Sequence, residues 1–381
     1  MTTLWYFPIE PVKSRYTEQL CNLWMPKAFS SVIEHRQNIQ VNVVQGEVTA
    51  EDINIGNVLD ACGRGIYSLT QVTQFLRLLN DGMVANDDIL FLQDFWTPGI
   101  EAIFYAINLM HLKLKIYSMC HAQSVDQYDF TYPMKYWMRP IELSYANEQA
   151  GIFVASSVHK ELLKVAGVNV PIHIVSLPID YYEVRKRVKE NKMPLVTYCS
   201  RLDAEKQPDF MLEVALKFLE MHPTWLWYIT TSGKEFRSNV PGFIQKLFDA
   251  SQKNERLFLS CGLTKDNYYS ILGSSRINFN SSLQDFVSWT LLESCIAGCD
   301  LVYPNFRSFS ECIPQDRLYK AFNVDSALRL FDEVIAEPHQ HYSIAKQANY
   351  GRLKEADIII NGIDHEYNIY EETTYEHDIP E

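Results

Sequence analysis

Two cations stand five residues apart in Ser200-Arg201-Leu202-Asp203-Ala204-Glu205-Lys206-Gln207, between the β-rich run Pro194–Ser200 and the amphipathic stretch Phe210–Leu219. At the carboxyl end of a strand in a doubly wound sheet, side chains point into the crevice where such sheets bind ligands. Arg201 and Lys206 could there grip a diphosphate, one as a planar fork and the other as a point charge. An Arg-x4-Lys loop is also a common solvated turn, so the pair needs a second feature beside it. About 80 residues later the segment SSLQDFVSWTLLESCIAGCDLVYP supplies one, with Asp285 and Glu293 eight apart. A helix beginning near Ser288–Thr290 would aim free N–H groups and the positive end of its dipole at phosphate. Glu293, one turn in, could accept hydrogen bonds from sugar hydroxyls; by itself it reads equally as a helix-surface acid.

Other chemistries find less support. The nearest approach to a dinucleotide fingerprint is Gly63-Arg64-Gly65 with Ser68 in place of the third glycine. No β-rich run leads into it, so a plain turn before a helix at Leu69–Leu79 is the better reading. Neither G-x-x-x-x-G-K-[ST] nor H-E-x-x-H occurs, which removes the P-loop and zincin signatures. Eight cysteines from Cys21 to Cys312 form no CxxC pair, and a chain of this size needs no staples. They are expected to be reduced core thiols rather than metal ligands.

The elements that must position these residues follow from the hydrophobic pattern. Short β-rich runs at Thr3–Phe7, Ile39–Val44, Asp88–Phe95, Leu114–Met119, Gly151–Ser157 and Ile172–Pro178 alternate with stretches of helical spacing such as 69–81 and 99–112. A second series, PLVTYCS, TWLWYITT, RLFLSCG, RINFNSS and DLVYPN, recurs at the spacing of βα units. The pattern predicts an α/β protein of two doubly wound, Rossmann-like domains facing across a cleft. We divide it as 1–185, 186–363 and an acidic tail 364–381, with the boundary in the basic stretch IDYYEVRKRVKENK.

With 381 residues, 47% of them apolar and 21% charged, the chain has material for two full cores. No apolar run approaches the roughly 18–20 residues of a membrane helix. The start of the chain lacks a signal-peptide pattern because Pro8, Glu10 and Pro11 interrupt it. A cytoplasmic protein without membrane partners is expected. Net charge is −13, and the seven acids of 364–381, unopposed by Lys or Arg, leave −6 for the body. Such a balance argues against a dedicated polyanion binder.

From about Pro194 to Glu311 the combination of Arg201…Lys206, Asp285-x7-Glu293, Ala297-Gly298 and the strand DLVYP resembles the second domain of GT-B glycosyltransferases. The resemblance is to the large retaining family with the E-x7-E motif, which includes sucrose and lipopolysaccharide enzymes. It implies that Arg201 and Lys206 hold the leaving diphosphate of a nucleotide sugar such as a UDP-sugar, that Glu293 binds the ribose and that Asp285 contacts the donor sugar. Ser288, Trp289, Thr290 and Gly262 join the donor side. His121, just past LKIYSM, matches a histidine that bonds the donor sugar or assists at the reacting centre. Asp94, ending DILFLQD, with Arg15 and Tyr16 makes up the acceptor side, and Glu311 resembles a later acid of the pattern. Two departures stand out. Asp285 replaces the usual Glu, and the glycine pair expected after the first strand gives way to Pro8-Ile9-Glu10-Pro11.

The resemblance implies retention of configuration through an oxocarbenium-like state, with cations and a helix N-terminus offsetting the charge on the departing diphosphate. No D-x-D occurs, so neither a metal nor another cofactor is expected, and Arg201 and Lys206 would take the metal's part. The opening YFPIEPVKSRYTEQL also resembles bacteriophage glycosyltransferases that place glucose or arabinose on hydroxymethyl pyrimidines such as 5-hydroxymethylcytosine in DNA. That would put the protein in a host cytoplasm. Two surfaces could then meet DNA: Arg185, Lys186, Arg187, Lys189 and Lys192, and the mixture of Lys113, Lys115, Lys135 and Arg139 with Tyr132, Tyr136 and Trp137. A saccharide or small-molecule acceptor, or an inactive nucleotide-binding protein of the same fold, are the alternatives.

Overall fold

The computed structural model describes residues 1–12, 15–34, 38–49, 61–121 and 124–362. The acidic tail 364–381 lies outside the described residues. The chain begins with β1 (Thr2–Phe7), α1 (Tyr16–Gln19), α2 (Met25–Ile33), β2 (Ile39–Val43), α3 (Ala61–Asn80), β3 (Ile89–Leu92) and α4 (Ile100–Leu109). It continues with β4 (Lys115–Met119), α5 (Lys135–Asn147), β5 (Gly151–Val154), α6 (Ser157–Val165) and β6 (Ile172–Ile174). These six strands form one parallel sheet in the order β2-β1-β3-β4-β5-β6. Their near-continuous Val, Ile, Leu and Phe runs, fully buried in β3 and β5, are what a parallel sheet covered on both faces requires.

After the short α7 (Tyr181–Arg185) the second half repeats the plan with β7 (Met193–Cys199), α8 (Pro208–Met221), β8 (Leu226–Thr231), α9 (Phe243–Lys253), β9 (Leu257–Cys261) and α10 (Lys265–Ser274). There follow β10 (Ser275–Phe279), α11 (Trp289–Ile296), β11 (Asp300–Asn305), α12 (Phe309–Cys312), β12 (Leu318–Lys320), α13 (Val324–Ala336) and α14 (Tyr342–Asn361). The second sheet is also parallel, in the order β12-β11-β10-β7-β8-β9. Eleven of the strands fall on the runs read from sequence; the three-residue β12 is too short to leave a pattern. The turn expected at Gly63–Gly65 is instead helix, because α3 begins at Ala61 and carries the pair in its first turn.

Strand order reverses between β1 and β3 in one sheet and between β7 and β10 in the other. Doubly wound sheets open a ligand crevice at the carboxyl ends of strands flanking such a reversal. The loops leaving β1, β3, β7 and β10 are therefore the ones that can build a site. The segment after β10 shows how local sequence fixes one of them. Ser288 caps α11, its hydroxyl accepting from the Leu291 N–H at 3.4 Å. The helix ends after two turns in a Schellman arrangement, Cys299 N–H to Ser294 O at 3.0 Å and Gly298 N–H to Cys295 O at 3.1 Å. Gly298 adopts φ +73°, and a Cβ there would strike the Tyr342 hydroxyl, so glycine is required on both counts.

Helix α14 returns to the first domain, packing on α2 as well as on α11. A single apolar cluster consequently runs from Tyr6, Phe91 and Phe153 of the first sheet through Trp24 and Phe29 to Leu291, Leu292 and Cys295 of α11. Each such fully buried large side chain contributes roughly 1.5–3 kcal/mol. The core thus joins the two halves at the base of the cleft. All eight cysteines are unbridged. Among the described residues no helix is long and apolar enough to cross a membrane.

Candidate active site

A cleft of about 420 Å³ opens between the carboxyl ends of the two sheets. Of the twelve site residues read from sequence, Arg201, Lys206, His121, Asp285, Glu293, Ser288, Trp289, Thr290, Asp94, Arg15 and Tyr16 all border it. Gly262 does not. It makes the left-handed turn after β9 (φ +65°), and its neighbour Leu263 reaches the cleft instead.

The loop after β7 places Arg201 and Lys206 differently. Arg201 forms ion pairs with Asp203 at 3.2 Å and Glu205 at 2.8 Å, both from its own loop, and stays about one quarter exposed. Lys206 is buried, and its ammonium donates to Ser282 Oγ (2.9 Å), Gln284 Oε1 (3.3 Å) and Asp285 Oδ1 (2.7 Å). Its carbonyl accepts from the hydroxyls of Ser281 and Tyr198. The loops after β7 and β10 are thereby tied into one wall. Gln207, next in the chain, holds φ +49° to turn the loop into α8, a left-handed conformation a residue with a Cβ adopts at a cost.

Glu293 lies almost fully buried at the back of this wall, and three donors hold it. Lys265 Nζ reaches Oε1 at 2.9 Å, Tyr269 OH reaches Oε1 at 3.0 Å and Tyr268 OH reaches Oε2 at 2.8 Å. Burial together with the facing carboxylate raises the Tyr268 phenol well above its usual value, so it stays a proton donor. Sequence reading missed these three residues. Their signal was present in Thr264-x2-Asn267, which caps α10 and puts Lys265, Tyr268 and Tyr269 on its first two turns.

From the first domain, Tyr16 stacks on Trp289 at 4.4 Å between ring centroids, with Trp24 behind it at 5.8 Å. Arg15 sits beside them. Burial, with Arg201 and Arg237 adding like charge, pushes its guanidinium down to about 10 against the pull of Tyr16 and Glu10. Cations gathered this way stabilise an anion bound among them. Asp94 is paired with Arg64 at 2.9 Å, which explains what Arg64 does in the glycine-flanked turn of α3. His121 lies one strand over, its Nε2 2.9 Å from the Gln93 carbonyl. Donation from Nε2 leaves Nδ1 as the acceptor, and burial lowers the ring's pKa despite Asp94, so His121 is neutral at pH 7.

Contacts across the cleft hold it in the present geometry. Gln284 donates to Asp129 Oδ2 at 3.0 Å, Arg307 pairs with Asp126 at 2.7 Å, and Phe286 stacks on His159 at 4.1 Å. Glu311 accepts from the first two N–H groups of α6, Ser157 at 2.8 Å and Val158 at 3.0 Å, so its place is at a helix end in the opposite domain. Of the first basic surface Lys189 is exposed, while the other four cations have partners within the protein. Arg185, Lys186 and Arg187 pair with Glu190, Glu183 and Asp266, and Lys192 is half-buried against the carbonyls of Ser275 and Ala297 at 2.7 Å. Lys113 and Lys115, both exposed, stand at the amino end of β4, about 13 Å or more along the strand from its cleft end.

Two parallel Rossmann-like sheets, switch points facing across one cleft and a last helix recrossing to the first domain, define the GT-B fold. Solved structures of that fold resemble the chain over nearly its whole length. Sucrose-phosphate synthase from Thermosynechococcus elongatus matches with a TM-score of 0.65 and 10% identity, over 93% of this chain and 95% of that one. A glycosyltransferase from Rickettsia africae matches at 0.61 and 11%, over 95% and 99%. HepE from Anabaena, solved in complex with UDP-glucose, matches at 0.57 and 10%, over 94% and 95%. At such identities the likeness is one of fold. No family model matches the chain, and no curated protein sequence does.

Proposed function

We propose that the protein is a glycosyltransferase that moves a sugar from a nucleoside diphosphate donor to an acceptor hydroxyl with retention of configuration and no need of a metal. The observation that carries this reading is that Arg201, Lys206 and the N-terminus of α11 from the second domain and Arg15 from the first all border one cleft. Four sources of positive potential there stabilise a diphosphate as its bond to the sugar breaks. Glu293, one turn into α11, takes the ribose hydroxyls, with Lys265 giving way to them. Asp285 takes a donor-sugar hydroxyl, its carboxylate aimed by the Lys206 ammonium. The anomeric carbon loses its bond to the diphosphate oxygen and gains one to the acceptor oxygen on the same face. The acceptor proton passes to the departing diphosphate, and no protein nucleophile is needed. His121, neutral, presents Nδ1 as a hydrogen-bond acceptor, and Asp94 orients the acceptor.

The acceptor best supported is a saccharide or small-molecule hydroxyl. A hydroxymethyl pyrimidine in DNA has the opening segment's resemblance in its favour, but Arg185, Lys186 and Arg187 are paired with acids, and the exposed Lys113 and Lys115 stand away from the cleft. The test is release of nucleoside diphosphate from a panel of nucleotide sugars in the presence of EDTA, against simple sugars, plain DNA and DNA containing 5-hydroxymethylcytosine. The anomeric proton coupling of the product reads the stereochemistry. Tight nucleotide binding without turnover on any donor would convert the reading to an inactive nucleotide-binding protein.

A further inference from the structure

Next to the cleft on the first domain lies an aromatic surface that the proposed donor chemistry does not use. Trp96, Phe130 and Met138 belong to the cleft lining. Trp96 is wedged between Trp137 and Tyr145, both 6.0 Å away between centroids, so the surface continues from the cleft onto α5. There Trp137 is 51% exposed, Tyr136 85% and Phe130 43%. Pro133 lies in the tight turn Tyr132–Met134 that leads into α5, and Pro140 lies within the helix. Large rings held in water at the mouth of a site mark a binding surface, since exposure costs what burial would regain.

Charge decides what the surface fits. The ammonium of Lys135 sits 3.9 Å over the ring of Tyr132, held by the π face. Arg139 turns inward to the Ser124 carbonyl at 3.0 Å. Nearby Asp126 and Asp129 are acidic and face the other domain. Among the described residues Lys135 and Arg139 are the cations of this patch, set beside two acids in a chain of net charge −13, which is poor footing for a polyanion. A neutral pyranose presents one face of C–H bonds to the negative π face of an indole or phenol, while its hydroxyls stay in water.

We infer that Trp137 and Tyr136 form an acceptor platform for a neutral oligosaccharide, whose terminal unit enters the cleft past Trp96 and Phe130 while the following units stack on α5. This rests on the glycosyltransferase reading for the fate of the terminal hydroxyl, but not for the binding itself. The test uses Trp137→Ala and the double variant with Tyr136→Ala in the full chain. Binding is titrated by calorimetry with neutral tetrasaccharides of β-1,4-glucose, α-1,4-glucose, β-1,4-N-acetylglucosamine and α-1,6-mannose, with the matching monosaccharides and with single-stranded DNA. At least one tetrasaccharide is expected to bind tenfold or more tighter than its monosaccharide, and the variants to lose that gain while hydrolysing nucleotide sugar in the absence of acceptor at the wild-type rate. The inference is overturned if no tetrasaccharide binds, if the gain survives in the double variant, or if DNA is the ligand the variants lose. Absence of donor hydrolysis in the wild type refutes the enzymatic reading alone, since oligosaccharide binding is still measured.

Discussion

Glu355 offers a prediction whose size follows from the structure. It lies on α14 with no exposed surface, and neither carboxyl oxygen has a hydrogen-bond partner among the described residues. Burial pushes its pKa from 4.5 up to about 8, with Arg352 pulling the other way. Arg352 is itself committed to Asp180 at 3.2 Å, so it offsets little of the cost. Between pH 4.5 and 8 the folded protein keeps a proton that the unfolded chain has released. Stability contributed by this group is therefore present at low pH and falls as pH rises, by up to about 1.4 kcal/mol per pH unit. Across the window the loss is on the order of 5 kcal/mol, a large share of a typical folding free energy. Glu355→Gln keeps the shape and removes the titration. Urea unfolding measured from pH 5 to 8.5 should show variant and wild type close together at pH 5 and the variant progressively more stable above it. A stability difference that stays constant over this range would refute the assignment of a neutral, buried carboxyl.

Three further outcomes concern the cleft. Arg201→Ala should lower turnover on the order of 100-fold, as loss of one preorganised charge-stabilising donor does, with circular dichroism unchanged because its partners Asp203 and Glu205 lie on the same loop. Glu293→Gln should weaken nucleoside diphosphate binding in calorimetry by roughly 1.5–3 kcal/mol, the value of a hydrogen bond to a charged group; unchanged affinity would leave Glu293 as an anchor for Lys265, Tyr268 and Tyr269 only. Glu311→Ala removes the acceptor that joins the two N–H groups of α6 to the second domain and should cost about 1 kcal/mol in urea unfolding, in line with other lost helix caps. Nucleotide hydrolysis by that variant should be near normal.

Much of this protein is readable from local pattern. Alternation of short buried strands with amphipathic helices depends on neighbours a few residues apart, so it marks eleven strands and two parallel sheets before any contact is known. The Arg201 to Lys206 spacing, the Ser288 cap and the Ala297-Gly298 stop are local too, and they put two cations and a helix N-terminus at strand ends bordering the cleft. Tertiary structure decided the rest, because its interactions join residues that sequence separation hides. Glu293 is ringed by Lys265, Tyr268 and Tyr269 from the preceding helix, and Asp94 is answered by Arg64 in a segment that reads as a turn. Gly63 and Gly65 obscured α3 because glycine lowers intrinsic helix propensity, while Arg64 pairs with Asp94 within that helix's first turn. In the basic stretch 185–192, Glu183 and Glu190 are neighbours in sequence, but the pairing of Arg187 with Asp266 and the burial of Lys192 against Ser275 and Ala297 come only with the fold. Charge counted along a chain says how many ions there are; which remain free to meet a ligand depends on who is beside them within a few ångströms, and only the folded chain sets that.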